Sequence, residues 1–147
     1  MGPKNRPRSI SKALSRNDTG QTGAHQVGIL VPKDLQILSF FPTLAARIKN
    51  PRAVIRFQDD KGKAWDFVFI YYNNKFYNGT RNEYRLTRMT EFMRVHSLKA
   101  GDELILMRDD DDITFRITFT RKNAVQKTTD GILRLGSEWR IIQIGDQ

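Results

Sequence analysis

Residues 113–119 read ITFRITF, an uninterrupted alternation of apolar and polar side chains. Successive side chains of a β-strand point to opposite faces, so a period of two predicts a strand with one buried face. Two earlier segments, Arg52–Gln58 and Ala64–Tyr72, alternate in the same way on either side of a polar, glycine-containing run at residues 59–63. Together they predict a β-hairpin.

The rest of the chain continues as short strands joined by turns. Further strands are predicted at residues 28–31, 103–108, 113–121, 132–135 and 139–144, and short helices at residues 33–40 and 89–97. Many short strands with few helices favour a mainly β fold, a small barrel or sandwich, over a parallel α/β sheet. Three glycines and a run of short polar residues at 16–28 argue against a helix or a regular strand there.

Length and composition bound the class of protein. The chain has 147 residues, 39% of them hydrophobic, which suits one domain with a buried core. We expect a basic, flexible leader at residues 1–15 and a single domain at residues 16–147. Its 25 Lys and Arg against 16 Asp and Glu give a net charge of +9. That balance favours an anionic partner, most often nucleic acid, although a membrane surface would also fit.

Several classes of protein are disfavoured. The chain has no cysteine, which excludes disulfides and thiolate metal sites. His25 and His96 are the only histidines, and without cysteine ligands beside them the sequence also argues against a zinc site. No apolar run approaches the length of a transmembrane helix and no signal peptide is visible, so we expect a cytoplasmic protein that does not enter a membrane.

One polar segment stands apart from the core pattern. Residues 78–88 read NGTRNEYRLTR, with three arginines and only one plainly apolar side chain, Leu86. A guanidinium can donate to both acceptors of a guanine edge, an asparagine can pair with an adenine edge, and a carboxylate can accept from the amino group of cytosine. We interpret the segment as a loop and strand that reads bases in a DNA groove. A solvated turn is the alternative.

Glu83 is the residue in this segment that indicates specificity. In an extended chain Arg81, Glu83 and Arg85 fall on one side. Phosphates repel a carboxylate, so Glu83 is expected to meet a cytosine amino group or to brace an arginine. A surface that only clamps phosphates would have no use for it.

The segment at residues 16–28 is dense in donors and acceptors and poor in apolar side chains. It is either a linker or a loop that is ordered by what it touches. For His25, hydrogen bonding to DNA is the favoured functional role. The lysines and arginines of the leader are expected to hold phosphates, with a disordered leader as the alternative.

Catalytic motifs are weak. Asp59 and Lys61 have the acid-x-lysine spacing of metal-dependent nucleases, but they lie in a predicted hairpin turn with no suitable acid before them. The four aspartates at residues 109–112 predict a solvated loop rather than a cation site. Alternating aromatics such as Phe115 favour core packing over base stacking. The chain is predicted not to be an enzyme; a metal-dependent nuclease and a single-strand or RNA-binding barrel are the alternatives.

Two parts of the chain resemble a known family. Residues 17–20 with 25–28, and residues 80–88, are similar in order and spacing to the N-terminal DNA-binding domain of EcoRII-type restriction endonucleases. Residues 70–73 are also similar. Residues 98–102, after the second predicted helix, look like the same element of the plant B-three domain. The resemblance implies a seven-stranded open pseudobarrel with two short helices at its ends, which agrees with the strand pattern.

The resemblance also implies how DNA is bound. In that family two arms grip the major groove and recognise CCWGG sites, as the targeting or effector domain of an attached nuclease. Here the arms are expected at residues 16–28 and 75–88. Positions that touch DNA in the family are matched by His25, Arg81, Glu83 and Arg85.

The sequence departs from the family pattern at three positions. Gly79 and Tyr84 stand where lysines are expected, and Leu30 where a tyrosine is expected. The loss of two cations indicates that others, such as Lys75 and Arg88, hold phosphates. The expected partners are double-stranded DNA and an attached nuclease domain that alone needs Mg²⁺, with the DNA-binding domain itself a monomer. The full set of predicted DNA-binding residues is Arg16, Asn17, Asp18, Thr19, Gln21, Thr22, His25, Gln26, Lys75, Asn78, Arg81, Asn82, Glu83, Tyr84, Arg85 and Arg88.

Overall fold

A computed structural model of the chain describes residues 6–20, 28–109, 111, 113–122 and 139–144. Within these residues one eight-stranded sheet forms the body of the protein. Its strands are β1 (Pro7–Ala13), β2 (Ile29–Val31), β3 (Arg52–Gln58), β4 (Ala64–Tyr72), β5 (Glu83–Thr87), β6 (Glu103–Arg108), β7 (Phe115–Thr120) and β8 (Trp139–Ile144). The helical elements are α1 (Arg16–Thr19), α2 (Leu35–Leu38), a 3₁₀ turn (Asn74–Tyr77) and α3 (Thr90–Val95).

The sheet has the strand order β2-β5-β4-β3-β7-β6-β1-β8. The β3–β7 pair is parallel and the other neighbouring pairs are antiparallel. Its two end strands come together, because the indole Nε1–H of Trp139 in β8 donates to the carbonyl of Leu30 in β2 at 3.1 Å. The sheet is therefore curled into an open pseudobarrel. The predicted mainly β class is confirmed, with eight strands rather than seven.

The β3–β4 hairpin has the bounds predicted from alternation. Phe57, Phe67 and Phe69 are at most 1% exposed and face the interior of the pseudobarrel. Phe41 stacks on Phe69 with a centroid distance of 4.5 Å, and Phe40 packs edge-on against Phe41. These buried rings form the predicted core, as expected from the alternation that favoured core packing over base stacking on a sheet face.

β1 corrects the prediction of a flexible leader at residues 1–15. This strand lies inside the sheet, where Ile10 is fully buried and faces Leu106 of β6 and Ile141 of β8 in register. Ser9, Ser11 and Lys12 are buried as well. The predicted leader is wrong for Pro7–Ala13, and the folded domain begins ahead of residue 16.

α1 corrects the prediction that residues 16–28 hold no helix. The Ser15 hydroxyl accepts from the N–H of Asp18 at 3.0 Å, and the Asp18 carboxylate accepts from the N–H of Ser15 at 2.9 Å. This reciprocal capping box satisfies two otherwise orphaned donors and starts a single helical turn. Gly20, with φ of +82°, ends it in the left-handed conformation that glycine adopts without strain.

The two predicted helices are shorter than the sequence indicated. α2 occupies four residues of the predicted 33–40, and Asp34 precedes it as the N-cap, where its carboxylate accepts from the N–H groups of Gln36 and Ile37. α3 buries Phe92 and Met93 against the core, as predicted for residues 89–97. The predicted strand at 132–135 lies outside the described residues. In the described part of the chain, no helix has the length and apolar character needed to cross a membrane.

Candidate nucleic-acid interface

β5 separates the side chains of the predicted reading segment between two faces. Glu83 and Arg85 share one face with Tyr72, which lies opposite Glu83 in β4. Tyr84 points to the other face, where its ring stacks on Tyr71 at 4.2 Å. The charged face and the aromatic face are therefore built by the same five-residue strand.

A carboxylate held between two guanidiniums forms the centre of the charged face. The Nη2 of Arg81 and the Nε of Arg85 both donate to Oε2 of Glu83, at 2.7 Å and 2.8 Å. Burial acts to raise the pKa of Glu83, but the hydrogen bonds from both arginines outweigh it and leave that pKa below its ordinary value. Glu83 is thus ionised and braces both arginines, one of the two roles predicted for it.

Both arginines have a second support. The guanidinium of Arg81 lies 3.8 Å from the centroid of the Tyr72 ring, which is a close cation–π contact. The Nη1 of Arg85 donates to the carbonyl of Gly28 at 3.1 Å. The side chains of Arg81, Glu83 and Arg85 are 39%, 29% and 20% exposed, so solvent reaches a group that is already oriented.

Gly28 lets the N-terminal part of the chain approach this strand. Its φ is +77°, and a Cβ at this position would lie 2.1 Å from the carbonyl oxygen of Leu86. Only glycine fits such an approach of one backbone to another. Gly28 therefore fixes how closely the chain approaches β5 at the start of β2.

A buried asparagine fastens the start of the second arm. The Asn73 side chain is 0% exposed; its Oδ1 accepts from the N–H of Asn50 at 2.7 Å. Its Nδ2 donates to the carbonyls of Ala46 and Ile48 at 3.2 Å and 2.9 Å. In return the N–H of Asn73 donates to Oδ1 of Asn50. The loop at residues 46–50 is therefore tied to the arm.

The arm closes on itself beyond Asn73. The N–H of Lys75 donates to the carbonyl of Arg81 at 2.8 Å, and the N–H of Gly79 donates to the carbonyl of Asn74 at 2.6 Å. A Cβ on Gly79 would sit 3.0–3.1 Å from atoms of Asn74, a tight contact. This crowding gives a physical reason for glycine where the family pattern leads one to expect lysine. Asn78, with φ of +69°, occupies the left-handed cap of the 3₁₀ turn.

The N-terminal candidates are divided by the structure. Arg16 and Asn17 are exposed on α1, while the Asp18 carboxylate forms an ion pair with Lys12 at 2.6 Å, both side chains being at most 10% exposed. The Thr19 hydroxyl donates within the same helical turn. Asp18 and Thr19 thus hold α1 together. Four further predicted residues lie outside the described part of the chain: Gln21, Thr22, His25 and Gln26.

Sequence reasoning missed two groups that belong to this end of the protein. Arg47 and Lys49 are exposed on the loop that Asn73 ties to the arm. The predicted cations Lys75 and Arg88 are exposed as well, at the start and the end of the arm. No local motif marks the loop, since its place depends on hydrogen bonds across more than twenty residues. The second group is Tyr71 with its neighbour Tyr72, which the sequence showed as part of a predicted strand and of the family resemblance but not as part of the site.

Asp59 and Asp60, the acids of the nuclease alternative, are engaged in hydrogen bonds within the fold. Oδ1 of Asp59 accepts from the N–H groups of Lys61 and Lys63, and its Oδ2 accepts from the indole of Trp65. Oδ2 of Asp60 accepts from the Thr118 hydroxyl. Asp59 therefore shapes the hairpin turn, and Asp60 links that turn to β7. Among the residues that the structure describes, no three or more His, Cys, Asp or Glu cluster closely enough to hold a metal ion.

A curled β pseudobarrel with short helices and an arm at one end is the class of fold defined here. The FUS3–DNA complex from Arabidopsis has the same fold, with a TM-score of 0.57 at 22% identity over 76% of this chain and 94% of that chain. The family model described as "Restriction endonuclease EcoRII, N-terminal" matches residues 8–112. The chain belongs to this family, and the resemblance to EcoRII-type N-terminal DNA-binding domains is confirmed.

A curated relative has the same family name. The type II restriction enzyme EcoRII of Escherichia coli is 36% identical over 104 residues, which make up 65% of this chain and 24% of that enzyme. The chain thus spans about a quarter of the length of this relative. The matched family region, residues 8–112, includes the arm, its supporting loop and the buried strand β1.

Proposed function

We propose that the chain is a sequence-specific, double-stranded DNA-binding domain that acts as the targeting or effector part of a restriction endonuclease. The observation that carries the proposal is the Glu83 carboxylate, held between Arg81 and Arg85 on an accessible face of β5. A surface built only for phosphates gains nothing from a carboxylate, whereas base edges offer both acceptors and donors. Membership of the EcoRII N-terminal family supports the same function.

The two arginines retain donors for base edges. Towards the described residues Arg81 donates only through Nη2, and Arg85 through Nε and Nη1. A guanidinium has five N–H groups in one plane, so each side chain still has donors to offer to a guanine edge. Because Glu83, Tyr72 and the Gly28 carbonyl already orient these planes, less side-chain entropy is lost when DNA binds.

Glu83 also has an unused acceptor. Both arginines donate to Oε2, and within the described part of the chain nothing donates to Oε1. An ionised carboxylate accepts from the amino group of cytosine. A C·G base pair, which presents the cytosine amino group next to the guanine acceptors, therefore suits this arrangement, and CCWGG contains such pairs.

Phosphate contacts are assigned to exposed cations around the arm. Lys75 and Arg88 lie on the arm itself, and Arg47 and Lys49 on the loop fastened to it by Asn73. Such contacts position a protein on the duplex without reading sequence. They make affinity fall with salt, and removing one cation should lower the salt slope by about 1.

The domain is proposed to recognise a CCWGG-type site in the major groove, inside the cell, as a monomeric unit. The cleavage chemistry and its Mg²⁺ belong, in this proposal, to an attached nuclease domain of a restriction–modification system. The share of the EcoRII enzyme that this chain matches, 24%, leaves most of that relative outside the match and is consistent with such a division.

Selection from a random duplex pool at one fixed salt concentration tests the proposal. Enrichment of a five-base-pair pseudopalindrome of the CCWGG type is the expected result. Retention of all sequences alike would refute sequence-specific binding. Single-stranded DNA and RNA of matched length serve as competitors, because stronger retention of either over duplex would favour the single-strand alternative.

Incubation of the selected duplex with the chain and Mg²⁺ tests the nuclease alternative. The proposal predicts that the duplex stays intact. Cleavage that disappears in Asp60→Ala would replace the proposal with a nuclease. Asp66→Ala is the matched control, because Asp66 is an exposed aspartate of the same hairpin whose carboxylate pairs with Arg56.

A further inference from the structure

The side chain of Asn82 is held in place by a tyrosine from the neighbouring strand. The hydroxyl of Tyr71 donates to Oδ1 of Asn82 at 2.7 Å. The Tyr71 ring stacks on Tyr84 with an angle of 6° between the planes, and Tyr84 stacks in turn on the buried Phe69. The hydroxyl that reaches Asn82 therefore stands on a fixed aromatic stack that continues into the core.

In the structure this hydrogen bond engages the oxygen end of the Asn82 amide. An asparagine side chain carries an acceptor oxygen and a donor NH₂ group at the two ends of a flat amide. With Oδ1 turned towards Tyr71, the NH₂ group is the end left for a ligand. Asn82 directly precedes Glu83, and its half-buried amide lies on the Tyr71 side of the arm, beside the charged face rather than on it.

We propose that Tyr71 is a positioning residue that makes Asn82 a donor-only reader of DNA bases, an inference that rests on the proposed function. A donor-only side chain suits the N7 and O6 acceptors of guanine or the O4 acceptor of thymine. Adenine requires both ends of the amide, because its edge presents an amino donor beside N7. This preference differs from the adenine pairing that the residue type alone suggests.

Base analogues in the selected duplex measure the effect at single atoms. Guanines are replaced one at a time by 7-deazaguanine, thymines by an analogue without the 4-carbonyl, and adenines by purine, which lacks the amino group. At the position read by Asn82, identified because Asn82→Ala abolishes the effect, acceptor removal should weaken binding of the unchanged protein roughly three- to tenfold. Replacing an adenine by purine should produce no penalty that depends on Asn82.

Tyr71→Phe separates positioning from structure. It retains the stacked ring and removes only the hydroxyl, so we expect the analogue penalty at the Asn82 position to fall below about twofold while the other positions keep theirs. In an Asn82→Ala background, Tyr71→Phe should have no further effect. Tyr77→Phe is the matched control, because its hydroxyl donates to the Arg47 carbonyl and does not touch Asn82.

Each outcome has one meaning. An unchanged penalty in Tyr71→Phe, or an Asn82-dependent penalty when purine replaces an adenine, would overturn the positioning role while leaving specific DNA binding intact. Equal weakening on all duplexes would also overturn it, since that is the effect of a purely structural tyrosine. Failure of the unchanged protein to prefer any duplex over random DNA would instead refute the proposed function.

Discussion

Replacing Asn73 with alanine is predicted to lower the free energy of unfolding by about 2–4 kcal/mol. The side chain is 0% exposed and makes three hydrogen bonds, to the N–H of Asn50 and the carbonyls of Ala46 and Ile48. Each such bond contributes roughly 0.5–1.5 kcal/mol net, and partners left unpaired in a part-buried site add to the loss. Alanine cannot replace any of them.

Urea unfolding followed by tryptophan fluorescence is the assay, with equal m-values required for the comparison. Tyr77→Phe is the control, because it removes one exposed hydrogen bond to the same loop and should cost less than about 1 kcal/mol. Because Asn73 fastens the arm, Asn73→Ala should also weaken binding to the selected duplex more than to random DNA. A stability loss below about 1 kcal/mol for Asn73→Ala would refute the role given to this amide.

Three further substitutions test separate parts of the structure. Although burial opposes it, hydrogen bonds from two arginines hold the pKa of Glu83 below 4.5, so its stabilisation is present above that pH and is lost as the pH falls through the lowered pKa. Glu83→Gln should therefore flatten the acid limb of a stability–pH curve, and an unchanged limb would contradict this. Asp18→Asn leaves the Lys12 ammonium buried without its partner and should cost roughly 3 kcal/mol in urea unfolding, with a loss under about 1 kcal/mol as the contrary result. Gly28→Ala places a methyl group 2.1 Å from the Leu86 carbonyl and should cost at least about 3 kcal/mol; near-native stability would show that the backbones are not in close approach.

The parts of the fold that follow from local pattern were predictable from the sequence. The β3–β4 hairpin has its predicted bounds, because alternating side chains and a polar turn specify both strands without help from distant residues. The charged side of β5 was also predictable, since Glu83 and Arg85 are two residues apart in a strand. Family resemblance then supplied the pseudobarrel, which alternation alone left open between barrel and sandwich.

The missed elements depend on contacts that short sequence windows do not contain. In the sequence β1 looks like a leader, because Ser9, Ser11 and Lys12 are polar. In the structure all three are buried, and the segment is a strand because it pairs with β6 and β8 on either side. α1 has no apolar face to give a helical period. The spacing of Ser15 and Asp18 was the one available signal, a capping box without a hydrophobic run after it.

Apart from the cations Arg47 and Lys49, the missed parts of the site are side chains that support the charged groups. Asn73 reads as a turn residue in the sequence, and its connection to residues 46–50 appears only in three dimensions. Tyr71 reads as a core position of an alternating strand, yet its hydroxyl reaches Asn82 across to the next segment. Charged residues can be identified from the sequence alone. The residues that orient them cannot, because strand register decides which side chains meet.

The most direct test compares Arg81→Ala on the selected duplex and on random duplex at the same salt concentration. We predict a loss of roughly 1–3 kcal/mol on the selected site and little loss on random DNA. Arg56→Ala is the control, because Arg56 is an exposed arginine paired with Asp66 at the opposite end of the β3–β4 hairpin from the arm. It should leave both affinities nearly unchanged. Equal losses on both duplexes for Arg81→Ala would contradict base reading and leave the arm as an electrostatic clamp.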